Sequence, residues 1–258
     1  MGGIYELKFY RSNTPDEAIK AEPTLVIFSD GSREAYGAVA YCRWETKNGF
    51  ESRLLLSKNR IAPLKVIDIV KLELCGALLS VRLRKFIEKE YVLKFRKVYH
   101  LIDSQIVKAM IGKGSYGYNT LAGNLIGEIH QLSSPDDWYW INGKDNGADV
   151  ITRGCEPNKL GVGSVWQKGP EFLSRPEHEW PVNIETPDVK ELPERRNCGF
   201  AGVTKIVQVE EEDTLEKGLI YEDSVGSSYL YGQLHEFSSY INDLGRMVWI
   251  KQELSLMI

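Results

Sequence analysis

Cysteine is scarce and poorly spaced for joint work. The four cysteines, Cys42, Cys75, Cys155 and Cys198, form no C-x-x-C pair and have no paired histidines at zinc spacing. A disulfide scaffold and a structural zinc site are thereby excluded, and free thiols in a reducing, intracellular setting are expected. No apolar run approaches the roughly 20 residues that span a bilayer, which excludes a membrane helix. The opening Met1-Gly2-Gly3-Ile4-Tyr5-Glu6 lacks the character of a secretory signal. There is no N-x-S/T acceptor, no internal repeat and no proline- or glycine-dominated tract. What is present is ordinary globular material: 258 residues, 43% hydrophobic and 26% charged. That length suits one large domain, or one ordinary domain with an appendage.

The formal net charge of −4 hides an asymmetry. Residues 1–180 hold 25 Lys and Arg against 22 Asp and Glu, whereas residues 181–258 hold 7 against 14. Within the first part, Arg82, Arg84, Lys85, Lys89, Lys94, Arg96 and Lys97 form a run interrupted only by Glu88 and Glu90. Such a run is either a solvated helix face or a patch that tracks phosphates.

Periodicity gives the order of elements. A polar lead-in over 1–22 precedes Thr24 to Ser29, a short apolar run closed by Asp30-Gly31-Ser32 and read as a buried strand. Ala35 to Trp44 and Arg53 to Leu56 are two further strands, with the hairpin signal Asn48-Gly49 between them. From Ile69 to Glu90, Val70, Leu74, Ala77, Leu78 and Val81 recur at helical spacing. Lys97 to Ile102 is a fourth strand, again ended by an aspartate, Asp103; Ser104 to Ile111 and Thr120 to Leu132 are helical. Asp137 to Ile141 is a fifth strand, with a short helix near Ala148 to Arg153. A hairpin meander followed by α/β alternation requires a mixed five-stranded sheet flanked by helices. The texture changes after Trp180-Pro181, so the domain is expected to span 23–181. An acidic, partly helical extension then fills 182–258, with a helix over Leu234 to Ile250. Because the acids and the sheet lie upstream, that extension is expected to be dispensable for chemistry.

Four carboxylates stand out. Asp30 and Asp103 end two apolar strands, where open α/β sheets bind ligands, although a strand-ending aspartate is also an ordinary turn former. Glu73 lies about 40° from Ala77 on a helical wheel, at the rim of the apolar stripe. Gly76 and Ala77 beside it would let the helix press close to the sheet, so the carboxylate needs a partner. Asp149 opens the short helix after Asn146, where the helix dipole also favours an acid. Four acids from two strand ends and two helices converge only if something cancels their repulsion, as two Mg²⁺ ions would.

The residues carry a resemblance here. Val26-Ile27-Phe28-Ser29-Asp30-Gly31-Ser32, continuing to Ala35-Tyr36-Gly37-Ala38-Val39, resembles the first strand and hairpin of a retroelement ribonuclease H domain. Ser57-Lys58-Asn59-Arg60-Ile61-Ala62-Pro63-Leu64-Lys65, Leu72-Glu73-Leu74-Cys75-Gly76-Ala77 and Asp103-Ser104 narrow it to the BEL/Pao class of LTR retrotransposons. So do Trp140-x-x-Gly143-Lys144-x-Asn146-x-Ala148-Asp149-x-x-x-Arg153-Gly154 and Gly169-Pro170-Glu171-Phe172-Leu173 before Trp180-Pro181.

The resemblance implies a ribonuclease H-like fold. It also implies an endonuclease that cuts the RNA strand of RNA–DNA hybrids during reverse transcription. Asp30, Glu73, Asp103 and Asp149 would be catalytic and hold two Mg²⁺, or Mn²⁺ in their place. Asp30 would bridge the ions, with Glu73 and Asp103 on one side and Asp149 on the other. Ser32, Ser104, Asn146 and Arg153 are candidate contacts to the sugar-phosphate backbone, and Arg84, Lys85 and Lys89 candidate contacts from the basic run. The place of the mobile-loop histidine of many ribonucleases H is taken by Tyr139, and the loop that follows offers only Lys144. The implied partners are the hybrid and the reverse transcriptase and integrase portions of the same polyprotein, with no membrane. The implied location is cytoplasmic, in a virus-like particle, or nuclear. No Y-x-D-D motif stands before residue 23, so the chain is expected to be a fragment or free-standing relative that copies no template.

Two other classes compete. An aspartic peptidase needs two D-T/S-G turns; Asp30-Gly31-Ser32 and Asp103-Ser104-Gln105 depart from that pattern, and Glu73 and Asp149 would be left idle. A decayed or domesticated module would grip hybrids without cutting. Gly112-Lys113-Gly114-Ser115-Tyr116-Gly117 fits G-x-G-x-x-G but follows a helix rather than a strand, so it reads as a loop. His100 within a strand, and Trp138 and Trp140 on one strand face, read as core packing.

Overall fold

The computed structural model describes residue 10 and residues 12–64, 67–156, 159–161, 163–185 and 192–195. All of these fall in the first of two compact units, Met1–Gly199 and Phe200–Ile258. The helix expected over Leu234 to Ile250 lies outside the described residues.

Strand β1 (Thr24–Gly31) is buried at every position. Its continuous apolar run, instead of an alternating one, follows from having a strand on each side and a covered layer on each face. Leu25 and Ile27 face the first helix with Ala38, Ala40, Leu79, Leu83 and Ile87. Val26 and Phe28 face the other way, toward Val39, Tyr41, Phe172, Leu173 and Trp180. Strand β2 (Ala35–Thr46) pairs antiparallel with β1 and with β3 (Gly49–Ile61), closing the expected hairpin at Thr46 and Gly49. β3 runs well past the expected Leu56. Its later part, Ser57 to Arg60, is polar, in keeping with an edge strand open to water.

Helix α1 (Ile69–Glu90) begins where the Asp68 side chain accepts a hydrogen bond from the Val70 N–H at 3.0 Å. It meets β1 through glycines. A Cβ on Gly76 would lie 2.4 Å from the Asp30 carbonyl oxygen, and one on Gly31 would lie 2.4 Å from the Glu73 nitrogen. The close approach expected from Gly76 is thus a backbone-to-backbone contact, matched by a second glycine on the strand.

Strand β4 (Lys97–Ile102) runs parallel to β1 and leads into α2 (Gln105–Lys113) and α3 (Thr120–Leu132). Strand β5 (Trp138–Ile141) is parallel to β4 and is followed by α4 (Asp149–Arg153) and α5 (Val165–Lys168). His100 and Trp138 are core residues as expected: their rings stack at 4.7 Å, and His100 Nδ1 lies 2.6 Å from Ser80 Oγ. The sheet has six strands, not five, in the order β3-β2-β1-β4-β5-β6. The extra strand, β6 (Val182–Asn183), pairs antiparallel with β5 and is too short to carry a periodic signal. Beyond it, Lys108 Nζ donates to the Ile184 carbonyl at 2.7 Å, Leu192 joins the α1–α2–α3 core, and Lys71 pairs with Glu194 at 3.1 Å.

The segment around Phe172 and Trp180 is pinned to the sheet by one buried cation. Arg43 donates from Nε to the Leu173 carbonyl and from Nη2 to the Arg175 carbonyl, both at 2.7 Å. Its guanidinium lies over the rings of Phe50 and Trp180.

Candidate active site

β1 and β4 are parallel neighbours, so their carboxyl ends open on the same side of the sheet, where Asp30 and Asp103 stand. Asp149 is the first residue of α4. One carboxylate oxygen from each of the three lies within 4.8 Å of the others. Three separate devices bring them together. Asn146, buried, donates to the Ser29 carbonyl and accepts from the Ala148 N–H, both at 3.1 Å, which fastens the loop before Asp149 onto β1. Trp140 donates its indole N–H to the Asp103 carbonyl at 2.8 Å. Thr152 on α4 donates its hydroxyl to Asp30 Oδ2.

Glu73 borders this trio and is not within it. Its Oε2 accepts the Ser104 hydroxyl at 2.5 Å. The partner its half-buried position demands is therefore a neutral hydroxyl, and no ion pair of Glu73 exists among the described residues. Burial, then the charges of Asp103 and Asp30, push its carboxyl up to about 7, against the pull of the Ser104 hydrogen bond. Burial and the Asp30 charge likewise raise Asp103 to about 6. Asp149 is raised by burial and by Asp30, with Arg153 opposing. Its Oδ1 is buried without a hydrogen-bond partner, although Arg153 stands 3.4 Å away. The site is a set of hard oxygen donors short of positive charge, which is the chemistry a divalent cation fits.

The expected backbone contacts divide. Ser32 Oγ donates to the Thr152 carbonyl at 3.0 Å and accepts from the Glu34 and Ala35 N–H groups. Ser104 caps α2 while holding Glu73. With Asn146 on Ser29, all three polar groups are engaged within the fold. Arg153 is different: its side chain is 64% exposed beside Asp149. Arg84, Lys85 and Lys89 lie elsewhere, roughly 16–24 Å along α1 from Glu73 at 1.5 Å per residue. There Arg84 pairs with Glu88 and Asp137, and Lys89 with Glu90. At the place of the mobile-loop histidine, Tyr139 packs on Tyr99 at 5.0 Å between ring centroids, and Lys144 is exposed in the loop. Sequence reasoning missed Thr152. Its signal was present, since Asp149 and Thr152 are three apart and share one face of a helical turn.

Residues 4–104 match the model of a family described as Pao retrotransposon-like RNaseH-like domain. The match takes in Asp30, Glu73 and Asp103; Asp149 lies beyond it. No curated protein matches the chain in sequence. Similar solved structures include the N-terminal RNase H domain of Rv2228c from Mycobacterium tuberculosis, solved as a fusion with maltose binding protein. It is 15% identical with a TM-score of 0.38, over 51% of this chain and 91% of that one. RNase H1 from the halophilic archaeon Halobacterium salinarum NRC-1 is 10% identical with a TM-score of 0.29, over 46% and 81%. The NurA nuclease from Sulfolobus solfataricus is 14% identical with a TM-score of 0.26, over 53% and 50%. Over residues 4–104 the match agrees with the family read from the motifs, and the mixed sheet flanked by helices agrees with the expected α/β class.

Proposed function

Since residues 4–104 carry a Pao retrotransposon-like RNaseH-like domain, we propose that this chain is a divalent-cation-dependent endonuclease acting on the RNA strand of RNA–DNA hybrids. The observation that carries this reading is the gathering of Asp30, Asp103 and Asp149 at one sheet end, with Glu73 at its border. Asp30, Asp103 and Asp149 would hold the cations, with Glu73 completing the set. Two Mg²⁺ ions, or Mn²⁺, would supply Lewis-acid charge that activates a water and stabilises the leaving oxygen of a phosphodiester.

The chain's own residues do the rest. Ser104 orients the Glu73 carboxylate, and Asn146 and Trp140 fix the loops that carry Asp149 and Asp103. Arg153 presents an exposed guanidinium to a backbone phosphate beside the acids. Recognition goes mainly by backbone and by the RNA 2′-hydroxyl, so little base preference is expected. The reverse transcriptase and integrase portions of a retrotransposon polyprotein are the proposed partners. The proposed setting is a cytoplasmic virus-like particle or the nucleus.

One gel tests this. Labelled hybrid, double-stranded RNA and double-stranded DNA are incubated with Mg²⁺, Mn²⁺ or EDTA. The expected result is ion-dependent loss of the hybrid's RNA strand alone, leaving 3′-hydroxyl and 5′-phosphate ends. Hybrid bound but never cut would favour a non-catalytic module. In a separate assay, cleavage of a peptide that a pepstatin-type inhibitor blocks would favour the peptidase.

A further inference from the structure

We infer that Thr152 is a positioning residue of this site, a single buried hydroxyl that sets the Asp30 carboxylate and ties to it the helix that carries Asp149. The inference rests on the reading of the acids as a cation site and deepens it.

Three observations converge on the hydroxyl. Thr152 is 2% exposed, buried beside Asp30. Its Oγ1 carries one proton. The Ala148 and Asp149 carbonyls lie at 3.4 Å, whereas Asp30 Oδ2 is much nearer, so the proton belongs to Asp30. That bond engages Oδ2 and fixes the plane of the carboxylate, leaving Oδ1 as the oxygen it does not hold.

The same residue is the hinge by which α4 is attached. Five residues make a helix with no stability of its own, and Ala148 before it supplies no side-chain cap. Its hold on the sheet comes from outside. Ser32 Oγ donates to the Thr152 carbonyl, and Asn59 Nδ2 donates to the Ile151 carbonyl, each at 3.0 Å. The Ile151 side chain lies where a Cβ on Gly37 would stand only 2.7 Å from it. Thr152 is thus bonded by its carbonyl to the β1–β2 turn and by its side chain to Asp30. Asp30 and Asp149 repel each other, and the hydroxyl joins the two elements that bear them. The orientation required for two carboxylates to share a cation is set before any cation arrives, which lowers the cost of binding it.

The test uses the full chain and the metal alone. Mn²⁺ and Mg²⁺ affinities are measured by calorimetry without nucleic acid, beside melts in EDTA. Thr152→Val keeps the shape and removes the hydroxyl; affinity is expected to fall about tenfold or more, as for other residues that orient metal ligands. Thr152→Ser keeps the hydroxyl and should stay within about threefold of the parent. Asn59→Ala removes one backbone bond to α4 without touching Asp30. It should lower the EDTA melting temperature at least as much as valine does, yet lower affinity by less, and an affinity loss as large as valine's would overturn the special role of the hydroxyl. Valine binding like the parent, or serine falling as far as valine, overturns the inference. If valine abolishes the cooperative melt, Thr152→Ala takes its place with the same outcomes. A parent that binds neither ion overturns the cation-site reading and this inference together; a parent that binds, with valine equal to it, overturns this inference alone.

Discussion

β1 and β4 are parallel strands with opposite charge problems at their two ends. At the carboxyl ends, Asp30, Asp103 and Asp149 crowd together with Glu73 beside them, and among the described residues only the exposed Arg153 answers with a positive charge. At the amino ends, Arg43 and Arg96 converge on one carboxylate, Glu177, at 3.3 and 2.6 Å, and the Tyr99 hydroxyl donates to its other oxygen at 2.6 Å. The cation end is saturated. Arg43 also reaches two carbonyls and two aromatic faces, and Arg96 donates to Thr24 Oγ1 at 2.8 Å. The acid end is left short, down to an Asp149 oxygen with no hydrogen bond. Buried charges that stabilise a fold are fully partnered, because unpartnered ones cost too much. The unmet demand at the other end supports the proposal that the acids there hold cations.

Removing the cation at the saturated end should do the greatest damage. Arg43→Ala leaves a cavity under Phe50 and Trp180 and two carbonyls without donors, while Glu177 keeps Arg96 and Tyr99, and should cost about 3–5 kcal/mol in urea denaturation. A variant within about 1 kcal/mol of the parent would erase the contrast between the two ends.

Chain ends come next. A chain stopped after residue 199 should melt and cut like the parent, consistent with a dispensable acidic extension. One stopped after 181 also loses β6, the carbonyl that receives Lys108, and the burial of Leu192. A loss of about 2 kcal/mol is expected from the leucine alone. Equal melts for the two would place the end of the fold at 181, as the change in texture suggests.

Gly76→Ala should cost about 1–3 kcal/mol, because the new methyl meets backbone at Asp30 that cannot yield. By displacing α1 it should also move Glu73 and depress cleavage further than the change in stability accounts for. Cleavage at the parent's rate would show that the helix-to-strand contact does not set the site.

The order of elements was legible because each buried face repeats its period over many residues. α1 and β4 have the bounds that Val70, Leu74 and Val81, and Lys97 to Ile102, announce. β6 and the second half of β3 were not legible. Two residues carry no period, and the polar run from Ser57 to Arg60 is strand only because β2 lies beside it. The acids could be read as strand-end and helix-start residues. That Ser32, Ser104 and Asn146 would be occupied within the fold could not be read, since each bonds to a group far away in sequence or to its own turn.

The acid end is tested by charge removal. Asp30→Asn keeps the shape, relieves Asp103, Glu73 and Asp149, and should abolish hybrid cleavage. In EDTA near pH 7 it should stabilise the fold by about 1 kcal/mol. Glu73 and Asp103 keep their protons to about 7 and 6 when folded, against ordinary values of 4.5 and 3.8. The folded state therefore binds more protons across that window, so parent stability without metal should rise as pH falls from 7 toward 5. The gain should be smaller in Asp30→Asn, and Mg²⁺ should raise the melting temperature of the parent more than that of the variant. A parent indifferent to Mg²⁺, with a destabilised Asn variant, would mean that the acids are no cation site.

The smallest effect expected is that of the basic run between the two ends. Seven cations there suggest several phosphate contacts, but most are already engaged. Arg82 pairs with Glu128, Arg84 with Glu88 and Asp137, Lys89 with Glu90, and Arg96 with Glu177. A cation held by a neighbouring carboxylate neutralises a phosphate less fully, so fewer of the counterions condensed on the nucleic acid are released. Of Arg84, Lys85 and Lys89, only Lys85 is exposed with no ion pair among the described residues. Neutralising all three should therefore weaken hybrid affinity modestly. The slope of log K against log salt should flatten by about one contact's worth, near 0.9 on the scale of duplex DNA, not by three. The measurement is a titration of labelled hybrid at four salt concentrations in EDTA, parent beside triple variant. A slope reduced by nearly three would mean that the hybrid breaks the ion pairs and uses the whole run. An unchanged slope would make the run a solvated helix face, and leave Arg153 as the cation through which the acid end meets its substrate.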